Sequence, residues 1–334
     1  MIRIAWRRLH RLRQARVRIE PWQRNLYILV FAELVAILGF NIANPFLPFY
    51  IQELGVTDLD EVAFWVGLIS SVAPIARAVT SPFWGLLADR YGRKPMLVRA
   101  MVAGGIILIL LALAKNTQQV AALRIIQGAF TGTIAAATTL VATMVPRQRC
   151  GFSLGILQTA VFVGSSLGPS VGGVVGGTLG YRAAFVGSGL LLLVSSVLVI
   201  TLVHERFTPV PARKQNGNAL VEALQAIVRE PLLLAMVTVL VLLNISGSVT
   251  GPILPLYVQT LVPNLQEAST ATGMILGATA LANALAAVWI GRSGDRLGRR
   301  RVLLGCLTVG ALVYLPQMLT THPTQLLVLR TILG

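Results

Sequence analysis

Three ionisable residues stand where the surrounding sequence is almost wholly apolar. Glu33 lies in VFAELVAILGF, Arg77 in APIARAVTSPF and Arg124 in LRIIQGAF. A charged side chain in the middle of a membrane span costs about 2.5–3.5 kcal/mol or more, so it faces a cavity or a partner. A carboxylate withdrawn from water is satisfied by a proton or by a counter-charge. Glu33 is therefore a candidate proton carrier, a counter-charge for a cationic substrate, or one half of a structural pair with Arg77 or another arginine. Arg77 and Arg124 would sense that charge, although an arginine as shallow as Arg124 could also snorkel to the outer interface. Asn41 in the first span and Asn244, Ser246 and Ser248 in the seventh supply neutral hydrogen-bonding groups, for cavity lining or for helix packing. This is chemistry for moving charge across a membrane, not for making bonds. No Ser/His/Asp or Cys/His constellation supports an enzyme, and no GxxxxGK[ST] loop supports direct ATP-driven pumping. Cys150 and Cys306, like His10, His204 and His322, lack ligand-like spacing, so neither metal, cofactor nor disulfide is expected.

The elements that must hold these residues are read from hydropathy. Of 334 residues, 55% are hydrophobic and 12% charged, about half the charged content of a soluble domain. A span takes about 20 mostly apolar residues. Such stretches occur near 26–50, 63–84, 96–114, 118–144, 152–179, 183–203, 231–260, 270–291 and 302–320, and a further one begins near Thr324. The net charge of +16 is carried mostly by the N-terminal arm, with eight arginines from Arg3 to Arg24, and by short basic segments that all fall on one side if the spans alternate. The first opposite loop is acidic, with Glu53, Asp58, Asp60 and Glu61. Positive charge marks the cytoplasmic side, so the expectation is a multi-pass membrane protein with its N-terminus inside; the resemblance given below implies a bacterial cytoplasmic (inner) membrane. Basic residues spread along a membrane face argue against nucleic acid as a partner.

The chain also repeats itself. GLLADRYGRK begins at Gly85 and GRSGDRLGRR at Gly291, so an offset of 206 places Gly85, Asp89, Arg90, Gly92 and Arg93 on Gly291, Asp295, Arg296, Gly298 and Arg299. LRIIQG from Leu123 matches LRTILG from Leu329 at the same offset, and PFLPFYIQEL from Pro45 matches PILPLYVQTL from Pro252 at 207. The counterparts of Glu33 and Arg77 are Leu240 and Asn283, so those charges belong to one half only. A period this long means two copies of a multi-helix unit, as in transporters that rock two halves about a central site. The expected organisation is a basic cytoplasmic arm over residues 1–24, a six-helix bundle over 25–204, a linker ending in a short surface helix over 205–229, and a second bundle over 230–334. Gly334 is the counterpart of Gly128, so the second bundle is expected to be incomplete, about two and a half helices short.

With its spans, repeat and motifs together, the chain resembles the major facilitator superfamily, and within it the twelve-helix drug/proton antiporters of the bacterial multidrug-resistance type. The fold that this implies is all-α, two pseudo-symmetric six-helix bundles with the second truncated. Three motifs carry the resemblance. The GLLADRYGRKPML loop would latch the halves on the cytoplasmic side. The fifth-span string GSSLGPSVGG, with Gly164, Gly168, Pro169, Gly172 and Gly173, resembles the pattern of antiporter exporters. In similar transporters the arginine at position 124 is tied to proton coupling. The implied function is proton-coupled efflux of amphipathic, lipophilic or cationic small molecules by a monomer in the lipid bilayer. The alternatives are an uptake or metabolite transporter of the same superfamily, or a truncated membrane protein that does not transport.

Overall fold

The computed structural model describes residues 20–205, 207, 229–262 and 264–333. Most of the basic arm and the short surface helix expected after Ala219 lie outside them, and so do several side chains in the second half. The described residues form helices and no strand. Hydrocarbon offers backbone groups no hydrogen bonds, so a chain this apolar satisfies them within helices.

Helix α1 (Pro21–Ala43) passes through a 3₁₀ turn at Asn44–Phe46 into α2 (Leu47–Glu53), and together they form the first span. Pro45, which has no N–H, sits in that turn. The second and third spans are α3 (Leu59–Tyr91) and α4 (Arg93–Ala112). The fourth, expected as a span near 118–144, is built from two helices, α5 (Thr117–Phe130) and α6 (Thr133–Met144). Thr131 is extended there and Gly132 has φ +148°, so the i→i−4 ladder stops and restarts. The fifth and sixth spans are α7 (Cys150–Leu179) and α8 (Tyr181–Leu202). The second half contains α9 (Pro231–Leu261), α10 (Leu265–Leu297), α11 (Arg299–Gln317) and α12 (Pro323–Leu333).

In the first half α1 packs on α7 and α8, α3 on α5, and α4 on α8. The two halves meet mainly through α7 and α10. The outer surface is apolar, with Val79 74%, Leu285 76% and Leu319 82% exposed. Beside water such a surface would aggregate, but beside lipid it is the solvated side.

The sequence repeat is visible as repeated geometry. Gly92 between α3 and α4 has φ +100°, and its counterpart Gly298 between α10 and α11 has φ +90°. A side chain is strained at such angles. Tyr50 donates its hydroxyl to the Leu111 carbonyl at 2.6 Å, at the end of α4. Its counterpart Tyr257 donates to the Gln317 carbonyl at 3.1 Å, at the end of α11, and also meets the Thr320 hydroxyl at 2.9 Å. Each half therefore ties its first helix to the orphan carbonyls that end its third.

Gly128 on α5 lies against the backbone of Ala73 on α3, and a Cβ there would fall on the Ala73 carbonyl. Gly128→Ala should therefore lower stability by about 1–3 kcal/mol, seen as a lower melting temperature in detergent. Gly155→Ala, which meets open space, should leave it unchanged. Equal melting of the two variants would contradict the packing described.

Candidate functional site

A cavity of about 420 Å³ lies between the halves. Its polar lining comes from the first half: Asn41, Asn44 and Ser70, with Arg77 and Arg124. Pro169 on α7 closes one wall, and Gly251, Pro252 and Leu276 supply an uncharged wall from α9 and α10. The structure thus brings together Asn41, Arg77 and Arg124 from among the candidates. Asn244, Ser246 and Ser248 are on α9, and their side chains lie outside the described ones.

The two arginines are held differently. Arg124 is 7% exposed and does not snorkel. Its Nη1 donates to Asn44 Oδ1 at 2.6 Å and to Gln127 Oε1 at 3.0 Å, whereas Nε and Nη2 are buried without a partner. The 3₁₀ turn between α1 and α2 supplies Asn44, so the break in the first span orients the arginine of the fourth. Arg77 projects into the cavity from α3 with no ion pair. Its repeat-related partner in the chain, Asn283, is exposed on α10. Arg330, the counterpart of Arg124, instead lies 5.7 Å from the ring centre of Tyr314.

Glu33 is elsewhere. Its side chain is 0% exposed, both carboxylate oxygens lack a hydrogen-bond partner, and it is not part of the cavity wall. The neighbouring polar group is Thr133, the first residue of α6, so Glu33 sits beside the break in the fourth span. The pair with Arg77 weighed from the sequence is not formed: Asp89 and Arg93 make the one ion pair among the described residues, at 3.1 Å. The reason is directional, since Glu33 faces α6 and Arg77 faces the cavity. The same placement takes Glu33 out of reach as a counter-charge for a cation in the cavity.

At the basic end, Asp89 pairs with Arg93 one turn on and does not cap a helix. The cap is Glu205, which the motif reading did not single out. Its Oε1 accepts from the Arg93 N–H and its Oε2 from the Lys94 N–H, both at 2.9 Å. Lys94 returns the bond, donating Nζ to the carbonyls of Ile200 at 2.8 Å and Val203 at 2.7 Å. The start of α4 and the end of α8 thus cap each other with charges that suit both helix dipoles. An acid just past a span, on the side rich in arginine, was the signal. Gly85 and Arg90 flank this corner, with Arg90 over the Tyr91 ring at 5.5 Å. In the second copy Gly298 is described, while the surroundings of Gly291 and the side chains of Asp295, Arg296 and Arg299 are not. Arg99, also missed, lies 3.4 Å above the Trp84 ring.

The fifth-span string splits into two faces. Gly164, Gly168 and Gly172, four apart, lie against the backbone of α1 at Leu34, Asn41 and Ile42. Gly173 turns the other way and touches Gly273 of α10: a Cβ there would stand 2.8 Å from the Gly273 Cα. Ser269 adds a bond from Oγ to the Gly173 carbonyl at 3.4 Å. Pro169 thus sits where one helix grips both its own half and the other.

This arrangement of two helical repeats about a polar cavity has close parallels. The Major Facilitator Superfamily profile matches residues 29–262 and 246–334. Over 313 residues the chain is 36% identical to a multidrug resistance protein MdtG of Serratia proteamaculans, covering 94% of this chain and 76% of that protein. The MdtG protein of Yersinia enterocolitica is 34% identical over 314 residues, with 94% and 75% covered. Among solved structures, a bacterial homologue of the human lysosomal transporter Spinster, inward-facing and unoccupied, superposes with a TM-score of 0.72 at 15% identity, over 94% of this chain and 72% of that one. The nucleoside transporter NupG gives 0.70 at 14% identity, over 93% and 78%. The family match runs through both halves and the relatives exceed a third identity over most of their length, so the chain belongs to the Major Facilitator Superfamily.

Proposed function

We propose that the chain exports amphipathic toxic compounds across the cytoplasmic membrane by alternating access, with protons entering down their gradient as the driving ion. The likeness to multidrug resistance proteins supports the export of drugs, and the single observation that carries the mechanism is the cavity between the halves. A substrate held there contacts both repeats, so rocking one against the other moves the access route from one membrane face to the other.

The cavity also bears on what is carried. Two arginines line it, and no acidic residue does among the described residues. Of the twelve acids in the chain, Glu33 alone lies deep in an apolar stretch rather than near the end of one, and it is off the cavity wall. Arg124 Nε and Nη2 are buried without a partner and Arg77 has no ion pair among the described residues, so the protein does not neutralise these charges, and they favour an oxyanion beside them. The charge of the site therefore favours amphipathic substrates bearing an acidic group over the lipophilic cations that the resemblance suggested. In everted vesicles with an imposed proton gradient, an anionic lipophilic dye should accumulate, the accumulation should collapse with an uncoupler, and Arg77→Gln should reduce it about tenfold. Accumulation that survives the uncoupler and requires ATP would refute the reading of secondary transport. Equal transport of a cationic dye by wild type and Arg77→Gln would refute the charge assignment.

Glu33 is the proton carrier in this reading. Neither a cation nor a hydrogen-bond donor satisfies its carboxylate in the state described, which leaves a proton to do so. Gln mimics the protonated acid, so Glu33→Gln should bind substrate and exchange it without a gradient but lose gradient-driven export. Because no partner cation is left behind, membrane yield should stay near wild type. Gradient-driven export that persists in a well-folded Glu33→Gln protein would remove Glu33 from the mechanism.

A further inference from the structure

Gln52 and Gln259 occupy equivalent positions in PFLPFYIQEL and PILPLYVQTL, 207 residues apart. Gln52 is in the last turn of α2 and Gln259 in the last turn of α9, at the end of the bundle that carries Asp58. Their carboxamides bond each other reciprocally: Gln52 Nε2 donates to Gln259 Oε1 at 2.7 Å, and Gln259 Nε2 donates to Gln52 Oε1 at 2.9 Å. A residue that meets its own repeat counterpart lies on the pseudo-two-fold axis, as in an isologous contact. Two residues before each glutamine is the tyrosine that ties its helix to its own half, Tyr50 to the end of α4 and Tyr257 to the end of α11. In each repeat the tyrosine fixes the helix end to its own bundle and the glutamine reaches across to the other.

We propose that Gln52 and Gln259 are the gate residues of the outer face, a neutral carboxamide latch that forms when the halves close at the Asp58 end and must part for the cavity to open there. The proposal rests on the alternating-access reading above. Its neighbours fit a closed end, since Leu254 and Val258 are buried beside it and Gly173 meets Gly273 nearby on α7 and α10. The chemistry suits a gate that opens once per cycle. Each amide is donor and acceptor at once, so the pair satisfies both groups when shut and water satisfies them when open. Being uncharged, it is not weakened by salt as an exposed ion pair is.

The test uses the full chain with Cys150 and Cys306 replaced by serine and Ser70→Cys in the cavity wall as reporter. A membrane-impermeant maleimide is applied to right-side-out and everted vesicles. Gln52→Leu, and the mutually repelling Gln52→Glu/Gln259→Glu double variant, should raise labelling from the Asp58 side about tenfold, equivalent to about 1.4 kcal/mol. Gln52→Glu/Gln259→Lys should restore the parental rate, which guards against loss through misfolding. Rates within twofold of the parent in all three variants overturn the latch while leaving alternating access intact. A reporter that is never labelled from the Asp58 side, in the parent or in any variant, overturns alternating access itself, and the latch with it.

Discussion

In hydrocarbon a polar group without a partner is expensive, and this constraint orders the whole molecule. It confines the backbone to helices and puts apolar side chains outward. It also makes each exception informative. Backbone ends find partners by design: Glu205 and Lys94 cap α4 and α8 mutually, and Tyr50 and Tyr257 take up the carbonyls that end α4 and α11. Against that background the carboxylate of Glu33 and the Nε and Nη2 of Arg124 stand out as buried charged groups without a partner, as do parts of Arg99 and Arg330; in the reading proposed above, a proton satisfies the first.

Close approach of backbones then sets how the bundles fit together. The fifth span presents one glycine face to α1 and another to α10. Small residues remove the side chains that would hold these helices apart, and dispersion over a tight contact replaces the hydrophobic drive that lipid does not supply. The contact between Gly173 and Gly273 joins the halves at one end, whereas the charged corner around Asp89, Arg93 and Glu205 lies at the other. The two ends are built from different forces, backbone packing and neutral amides against charges.

Much of this was legible in the sequence because hydropathy and repetition are strong signals. The spans, the two-repeat plan and the glycine corners at Gly92 and Gly298 all follow from residue type and period, whereas for Asn41, Arg77 and Arg124 the sequence left packing, pairing and snorkelling open beside a cavity. What was not legible depends on direction around a helix axis. Glu33 and Arg77 sit at depths that allow a pair, yet they face different neighbours, and hydropathy carries no such azimuth. The break at Thr131–Gly132 was hidden because threonine and glycine also occur inside intact membrane helices. Glu205 fell at the edge of a span, where it reads as linker until its contact with the start of α4 is known. The pairing of Gln52 with Gln259 required knowing that equivalent residues meet on the axis.

The central claim is that the two halves rock about the cavity, so that opening one end closes the other. Distances between spin labels test it most directly, with one pair at Leu59 and Gln266 at the Asp58 end and another at Tyr91 and Arg301 at the basic end, in the full chain reconstituted in lipid. Shifting pH or adding a transported anion should move the two distance distributions in opposite senses, one lengthening as the other shortens. Distances that stay fixed under every condition, or that lengthen together at both ends, would contradict the account.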